Sequence, residues 1–549
     1  MMSLKLKGLN RRRFLKVSAL WTTAAALSTV PVPAKSMPRD PNAKCDAIVI
    51  GSGLGGLSFA GYMAKNGFKV LVLEQHNIPG GYATTFTRDG GNFMFEVSLH
   101  QLFLGGVTKE ILDELGVLKK VKFRQGTNLF RLVSGDLDVT CPTADSERFE
   151  ETLISMFPRQ KTGIEGFMAE MLGLSQEVEK FFEAGKLTLV GKMGFPLRYP
   201  KMWAARNKSL SDYLNKYISD PKLKAVLSVF CGYFGLPPDR LSGFYYLNAS
   251  GGYFRYGGFY PHGGSQEISN ALTQFIRDKG GEVRLSTKVE EVLVKGDSVA
   301  GVKTADGEIE TARAVVGNCS AVSLLGKMVP GRIVPRDFGA KVRALKPSIS
   351  SFVVWLGLNR DITNRIKDSH IFLESERNPD KAFQYALNMD SDKTNIGVCI
   401  YNNIYKGYSP PGTSNLSITV ISGYEPWKSL EKDYWDGNKE EYHRKKKEIA
   451  QALIRRVEKT LIPNLSKMII VQDAATPLTN MRYTLNTAGA IYGFEQTPEN
   501  SFMNRISNRT PIKGLYLSSA WGEPGGGYTG VLIAGKRAFG LLMEDWGKA

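Results

Sequence analysis

Cysteine is scarce: the 549 residues hold only Cys45, Cys141, Cys231, Cys319 and Cys399. They lie far apart, with no C-x-x-C pair and no C-x-x-C-H, so structural zinc, a redox dithiol and c-type haem all lack a motif. An odd, sparse set does not make a disulfide framework. The five histidines, His76, His100, His262, His370 and His443, are equally scattered and form no H-E-x-x-H, so the sequence gives no reason to expect a metal. Zinc-finger, RNA-recognition and helix-turn-helix signatures are missing. The excess of 71 Lys+Arg over 53 Asp+Glu therefore does not read as nucleic-acid binding. No internal repeat is found. What remains is 42% hydrophobic and 23% charged, an ordinary globular composition for a chain long enough to form about two to four domains.

The N-terminus reads as an address. Asn10-Arg11-Arg12-Arg13-Phe14-Leu15-Lys16 matches the twin-arginine export pattern and precedes a modestly apolar stretch, Val17 to Val30. That stretch is too short and too rich in Ser and Thr to span a membrane. Val32 and Ala34 suit the small-residue requirement of signal cleavage, which places the signal peptide at 1–34 and the mature protein in the periplasm. Twin-arginine export carries folded proteins, which suits a chain that takes up a large cofactor before leaving the cytoplasm.

Glycine, at 57 residues, is above the usual frequency of about 7% and is clustered. The first cluster follows the apolar run Asp46 to Ile50, which has the length of a buried parallel strand. Gly51-x-Gly53-x-x-Gly56 comes next, then a helix over Leu57 to Asn66, then a second buried strand, Lys69 to Leu73, ending at Glu74. In this βαβ setting Gly51 permits the tight turn, Gly53 and Leu54 bring backbone N–H groups to a pyrophosphate, and Gly56 lets helix and strand pack closely. Glu74 is placed to accept hydrogen bonds from the adenosine ribose hydroxyls. The motif does not separate FAD from NAD. The doublet Gly80-Gly81, followed by Thr84, marks a second close approach of backbone to a dinucleotide and favours FAD.

The C-terminal segment Gly514-Leu515-Tyr516-Leu517 … Pro524-Gly525-Gly526-Gly527-Tyr528-Thr529-Gly530 resembles the last FAD-binding segment of phytoene desaturases and carotenoid isomerases. Gly257-Gly258-Phe259-Tyr260-Pro261-His262-Gly263-Gly264-Ser265-Gln266-Glu267-Ile268 is similar to the matching stretch of the retinol saturase branch of that family. So is Phe95-Glu96-Val97-Ser98-Leu99-His100. Departures are Ser98 in place of a usual Gly, His262 in place of a basic residue, and Ala520 where many flavoenzymes keep an acid. The resemblance implies a Rossmann-type α/β FAD-binding domain, discontinuous in sequence and interleaved with an α+β substrate domain. It further implies that Ser519, Gly526, Gly527 and Thr529 face the flavin and its phosphates, and that the Val289 backbone meets the adenine.

On this reading the FAD domain comprises 42–135, 256–330 and 505–549, and the substrate domain 136–255 and 331–504. Strands are expected at Val299–Lys303, Glu308–Thr311 and Ala314–Val316, and helices separated by basic loops over 109–230. The resemblance implies an oxidoreductase acting on C=C bonds of a lipophilic isoprenoid or polyene by saturation, desaturation or isomerisation. The electron partner is not specified. An apolar tunnel follows from such a substrate, with Tyr246, Tyr253 and Phe259 as candidate lining. His100 and Glu96 are the candidate proton donors, being the titratable pair beside a flavin motif. Six basic residues within 186–208, interleaved with Phe195, Tyr199 and Trp203, suit peripheral docking on an anionic membrane. Two alternatives stay open: an exported amine or amino-acid oxidase, which shares the FAD fold, and a flavoprotein that only carries a hydrophobic ligand.

Overall fold

The computed structural model describes residues 43–98, 100–184, 194–501 and 504–547. The export signal and residues 186–193 of the basic stretch lie outside the described residues.

Two seven-stranded sheets organise the molecule. In the first, Cys45–Ile50 pairs in parallel with Val70–Leu73 on one side and with Ile309–Gly317 on the other. Glu282–Arg284 and Leu515–Leu517 extend the sheet, also in parallel. Alternate residues of the central strands enter different cores. Ala47, Val49, Val70 and Val72 pack with the helices on one face, and Ile48, Ile50, Leu71 and Leu73 on the other. Such strands read as unbroken apolar runs because both faces are covered. The expected pair of strands at Glu308–Thr311 and Ala314–Val316 is one strand, Ile309–Gly317. Its first half pairs antiparallel with Ser298–Thr304 and its second half joins the parallel sheet.

The opening helix, Leu54–Lys65, starts three residues before the position expected from sequence and packs along the final helix, Tyr528–Trp546. Their approach requires glycine: a Cβ on Gly535 would stand 2.4 Å from the Gly55 carbonyl oxygen.

The second sheet runs, in spatial order, Ile469–Ala475, Ser350–Leu358, Ser414–Ser422, Ile396–Cys399, His370–Leu373, Phe130–Ser134 and Leu137–Cys141. The last two form a hairpin within the stretch expected to be helical, and Phe130–Ser134, from the first FAD segment of the sequence division, pairs here. One face of this sheet covers the core built on Phe352, Val354, Ile371 and Trp427. Helices Lys161–Glu183 and Gly243–Tyr256 pack on each other over a separate, aromatic-rich core. Among the described residues no helix is long and apolar enough to cross a membrane.

Candidate active site

A cavity of about 1,040 Å³ extends from the C-terminal ends of the first sheet to the inner face of the second. Its first part is made by glycine turns from both ends of the chain. Gly51, Gly53, Leu54, Glu74, Gly80, Gly81, Thr84, Val289, Ser519, Gly526, Gly527 and Thr529 all border it. Gly56 does not. It sits against the strand instead, where a Cβ would come within 2.4 Å of the Gly51 carbonyl oxygen, the packing role the motif assigns to it.

The cradle fits a dinucleotide. Helix Leu54–Lys65 begins at Gly53 with no side-chain cap, and helix Tyr528–Trp546 begins likewise at Gly527. Each leaves its first N–H groups and the positive end of its dipole on the cavity, an arrangement suited to phosphate. Gly80 and Gly81 hold φ values of +125° and +60°, which bring their backbone alongside Gly53. Glu74 is fixed by the Ser52 N–H and hydroxyl, which donate to its Oε2 at 2.8 and 2.7 Å, and by the His76 N–H, which donates to Oε1 at 2.9 Å. The strand end therefore presents an oriented carboxylate where an adenosine ribose would lie.

Beyond the cradle the cavity becomes a chamber roofed by alternate residues of the second sheet. Trp355, Val353 and Ser351 face it from one strand, Thr419 and Ile421 from the next, and His370 and Phe372 from a third, with Glu374 just past its end. Phe103, Phe234, Phe244, Tyr245 and Tyr253 close the other side. Tyr253 donates to the Gln101 carbonyl at 3.0 Å and Tyr245 to the Gly526 carbonyl at 2.9 Å, which ties chamber wall to flavin loop. Burial disfavours the charged forms of three titratable groups on its wall: it lowers His100 to about 4, drives His370 well below its ordinary value, and lifts Glu374 to about 8.

Three sequence expectations are corrected. Tyr246 does not reach the cavity; its ring is in the helical core and its hydroxyl donates to the Leu227 carbonyl at 2.7 Å. Phe259 is also away from the cavity, in a short strand paired with Phe123–Gln125. Glu96 lies beneath the cavity wall. Its carboxyl accepts from the Ser265 N–H at 2.9 Å, the Ser265 hydroxyl at 2.5 Å and the Tyr408 hydroxyl at 2.7 Å. That network joins the strand Phe93–Glu96 to the start of helix Gln266–Asp278, a structural role. His100 is on the chamber as expected, but its partners are His370 and Cys399, not Glu96. The sequence reading also passed over Asn318, whose side-chain amide donates to the Gly51 carbonyl at 3.2 Å, and Tyr233, which stacks on His100. Neither sits in a motif; only the fold brings them to the site.

Comparison with known proteins agrees with this geometry. The family model described as flavin containing amine oxidoreductase matches residues 54–538. The chain is 28% identical over 522 residues to a chloroplastic prolycopene isomerase of Daucus carota, covering 91% of this chain and 81% of that one. It is 26% identical over 512 residues to an all-trans-retinol 13,14-reductase of Danio rerio, covering 86% and 82%. Among solved structures, a putrescine oxidase variant superimposes with a TM-score of 0.62 at 16% identity, covering 91% of this chain and 99% of that one. Cyclohexylamine oxidase of Brevibacterium oxydans gives 0.58 at 14%, covering 92% and 99%. The discontinuous α/β cradle is thus an FAD site, the protein is an enzyme, and the chain belongs to the flavin containing amine oxidoreductase family.

Proposed function

We propose that the enzyme acts on C=C bonds of a lipophilic isoprenoid or polyene, by reduction, desaturation or isomerisation. One observation carries this reading. The chamber that opens from the FAD cradle is walled largely by aromatic and aliphatic side chains, and burial disfavours the charged forms of His100, His370 and Glu374 on its wall. The aromatic and aliphatic part of that wall suits an apolar chain. Likeness to a prolycopene isomerase and a retinol reductase supports the same substrate class. An amine substrate, by contrast, would enter as a cation and needs a charged or strongly polar anchor there.

Bound FAD supplies hydride transfer at its N5 position. The chain's own contribution is to hold the nucleotide by its phosphates and ribose and to keep water from the chamber. His100 faces that chamber, where its ring borders the space for a substrate. We further propose that the protein is exported by the twin-arginine route and meets its substrate at a membrane surface through residues 186–208.

Anaerobic reduction of the flavin with dithionite, followed by mixing with candidate polyenes, tests the reading. Reoxidation coupled to loss of conjugation identifies a reductase, and isomer change without net redox an isomerase. Bleaching of oxidised flavin by the polyene identifies a desaturase. Turnover of amines with no response to polyenes overturns the proposal, and tight polyene binding with none of these reactions identifies a carrier.

A further inference from the structure

His370 and Cys399 are direct cross-strand partners in the second sheet, so their side chains share a face and a fixed separation. The loop after strand Phe93–Glu96 brings His100 to the same point. His100 Nδ1 lies 3.2 Å from Cys399 Sγ, His370 Nδ1 lies 3.1 Å from the same sulfur, and one ligand atom from each residue falls within 4.8 Å of the other two. Both strand residues are 1% exposed. A thiol carries a single proton and can donate to only one of the two rings. The remaining ring must aim either a lone pair or an N–H at a sulfur that accepts weakly.

We infer that His100, His370 and Cys399 form a binding site for one divalent ion of the zinc class, with its open coordination position toward the chamber. Two imidazole nitrogens and one thiolate are the donor set of zinc, and hard cations such as magnesium or calcium prefer the carboxylates this cluster lacks. Zinc bonds of about 2.3 Å to sulfur and about 2.0–2.1 Å to nitrogen place tetrahedral S and N ligands about 3.5 Å apart. The observed sulfur–nitrogen separations lie within half an ångström of that spacing. The surroundings also supply the orienting partner that zinc-bound histidine requires. With His370 bound through Nδ1, its Nε2–H donates to the Tyr233 hydroxyl, 2.6 Å away. His100, His370 and Tyr233 border the chamber while Cys399 lies behind them, so the fourth position looks into the space where a substrate would lie. Binding releases the thiol proton and leaves the three ligands in one constrained geometry. The inference rests on this geometry alone and does not depend on the substrate class proposed above.

Cobalt(II) is the probe. Tag-free, flavin-loaded protein is treated with a chelator, freed of it and titrated with Co2+. The expected result is uptake of about one ion per chain, with ligand-field bands in the red, past the flavin absorption, that zinc bleaches by displacement. Cys399→Ser and His370→Ala abolish the bands while flavin content is retained, and Tyr233→Phe weakens uptake about tenfold. Wild-type protein that shows no such bands under excess Co2+ overturns the assignment. So does a flavin-loaded Cys399→Ser protein whose cobalt spectrum matches wild type. The wild-type spectrum decides even where a variant fails to fold.

Discussion

At Glu96 a carboxyl group is enclosed by Ser265 and Tyr408, and burial outweighs their hydrogen bonds to push its pKa up to about 7. The folded protein therefore keeps a proton that the unfolded chain releases from about pH 4.5 upward. The contribution of Glu96 to stability falls as pH rises from about 4.5 to about 7, by on the order of 3 kcal/mol. Glu96→Gln is expected to flatten that part of the curve of Tm against pH. His100 has the opposite sense: held down to about 4, it costs stability as pH falls from about 6.5 toward 4. Gly55 makes a second residue-scale case. A Cβ there would sit 1.7 Å from the Ser518 carbonyl oxygen. Gly55→Ala should destabilise by about 1–3 kcal/mol and lower flavin content, read from thermal unfolding and the visible spectrum. Gly51, Gly53 and Gly56 were legible because their spacing is a motif; Gly55 occupies a variable position, and its constraint comes from a strand more than 450 residues away.

Strand His370–Leu373 divides its residues by period two. Phe372 looks into the chamber, while Ile371 is fully buried in the core on the opposite face. Phe372→Asp should abolish binding of an apolar ligand and leave the flavin spectrum in place. Ile371→Ala should cost about 2–5 kcal/mol of stability with little change in ligand affinity. Ligand titration and denaturant unfolding of both variants separate the two effects. Strands Ser350–Leu358 and Ser414–Ser422 carry apolar runs, Ser351–Leu356 and Leu416–Ile421, that the sequence shows as strand-like. The hairpin Phe130–Ser134 and Leu137–Cys141 was not. Its buried residues alternate with Arg131, Asp138 and Thr140, and in a basic, helix-rich stretch those polar positions mask the alternation. In the fold Arg131 and Asp138 meet in an ion pair at 2.6 Å, a pairing visible only once the strands are side by side.

At the scale of the molecule, the nucleotide links three separate chain segments, so its removal acts on all of them. Stripping FAD should lower Tm substantially, and added FAD should restore it. An excess of a thousandfold over Kd corresponds to about 4 kcal/mol. Calorimetry of apo and reconstituted protein measures this. The cofactor and its cradle were legible because backbone recognition of phosphate leaves glycines at fixed spacing. The chamber was less so. Tyr253 and His100 border it as expected, but Tyr246 and Phe259 are equally aromatic and point elsewhere. His370 and Cys399 come together only because two antiparallel strands set them opposite each other. No linear spacing encodes that.

The packing of helix Leu54–Lys65 along helix Tyr528–Trp546 sets an order of events during biosynthesis. The second of these helices is made long after the first, and Gly526 and Gly527 complete the cradle from its threshold. A nascent chain can form the opening βαβ turn early, yet it has only part of a pocket until the helix Tyr528–Trp546 has been made. Flavin capture therefore waits on segments far apart in the order of synthesis, and a chain truncated before Gly526 should emerge without colour.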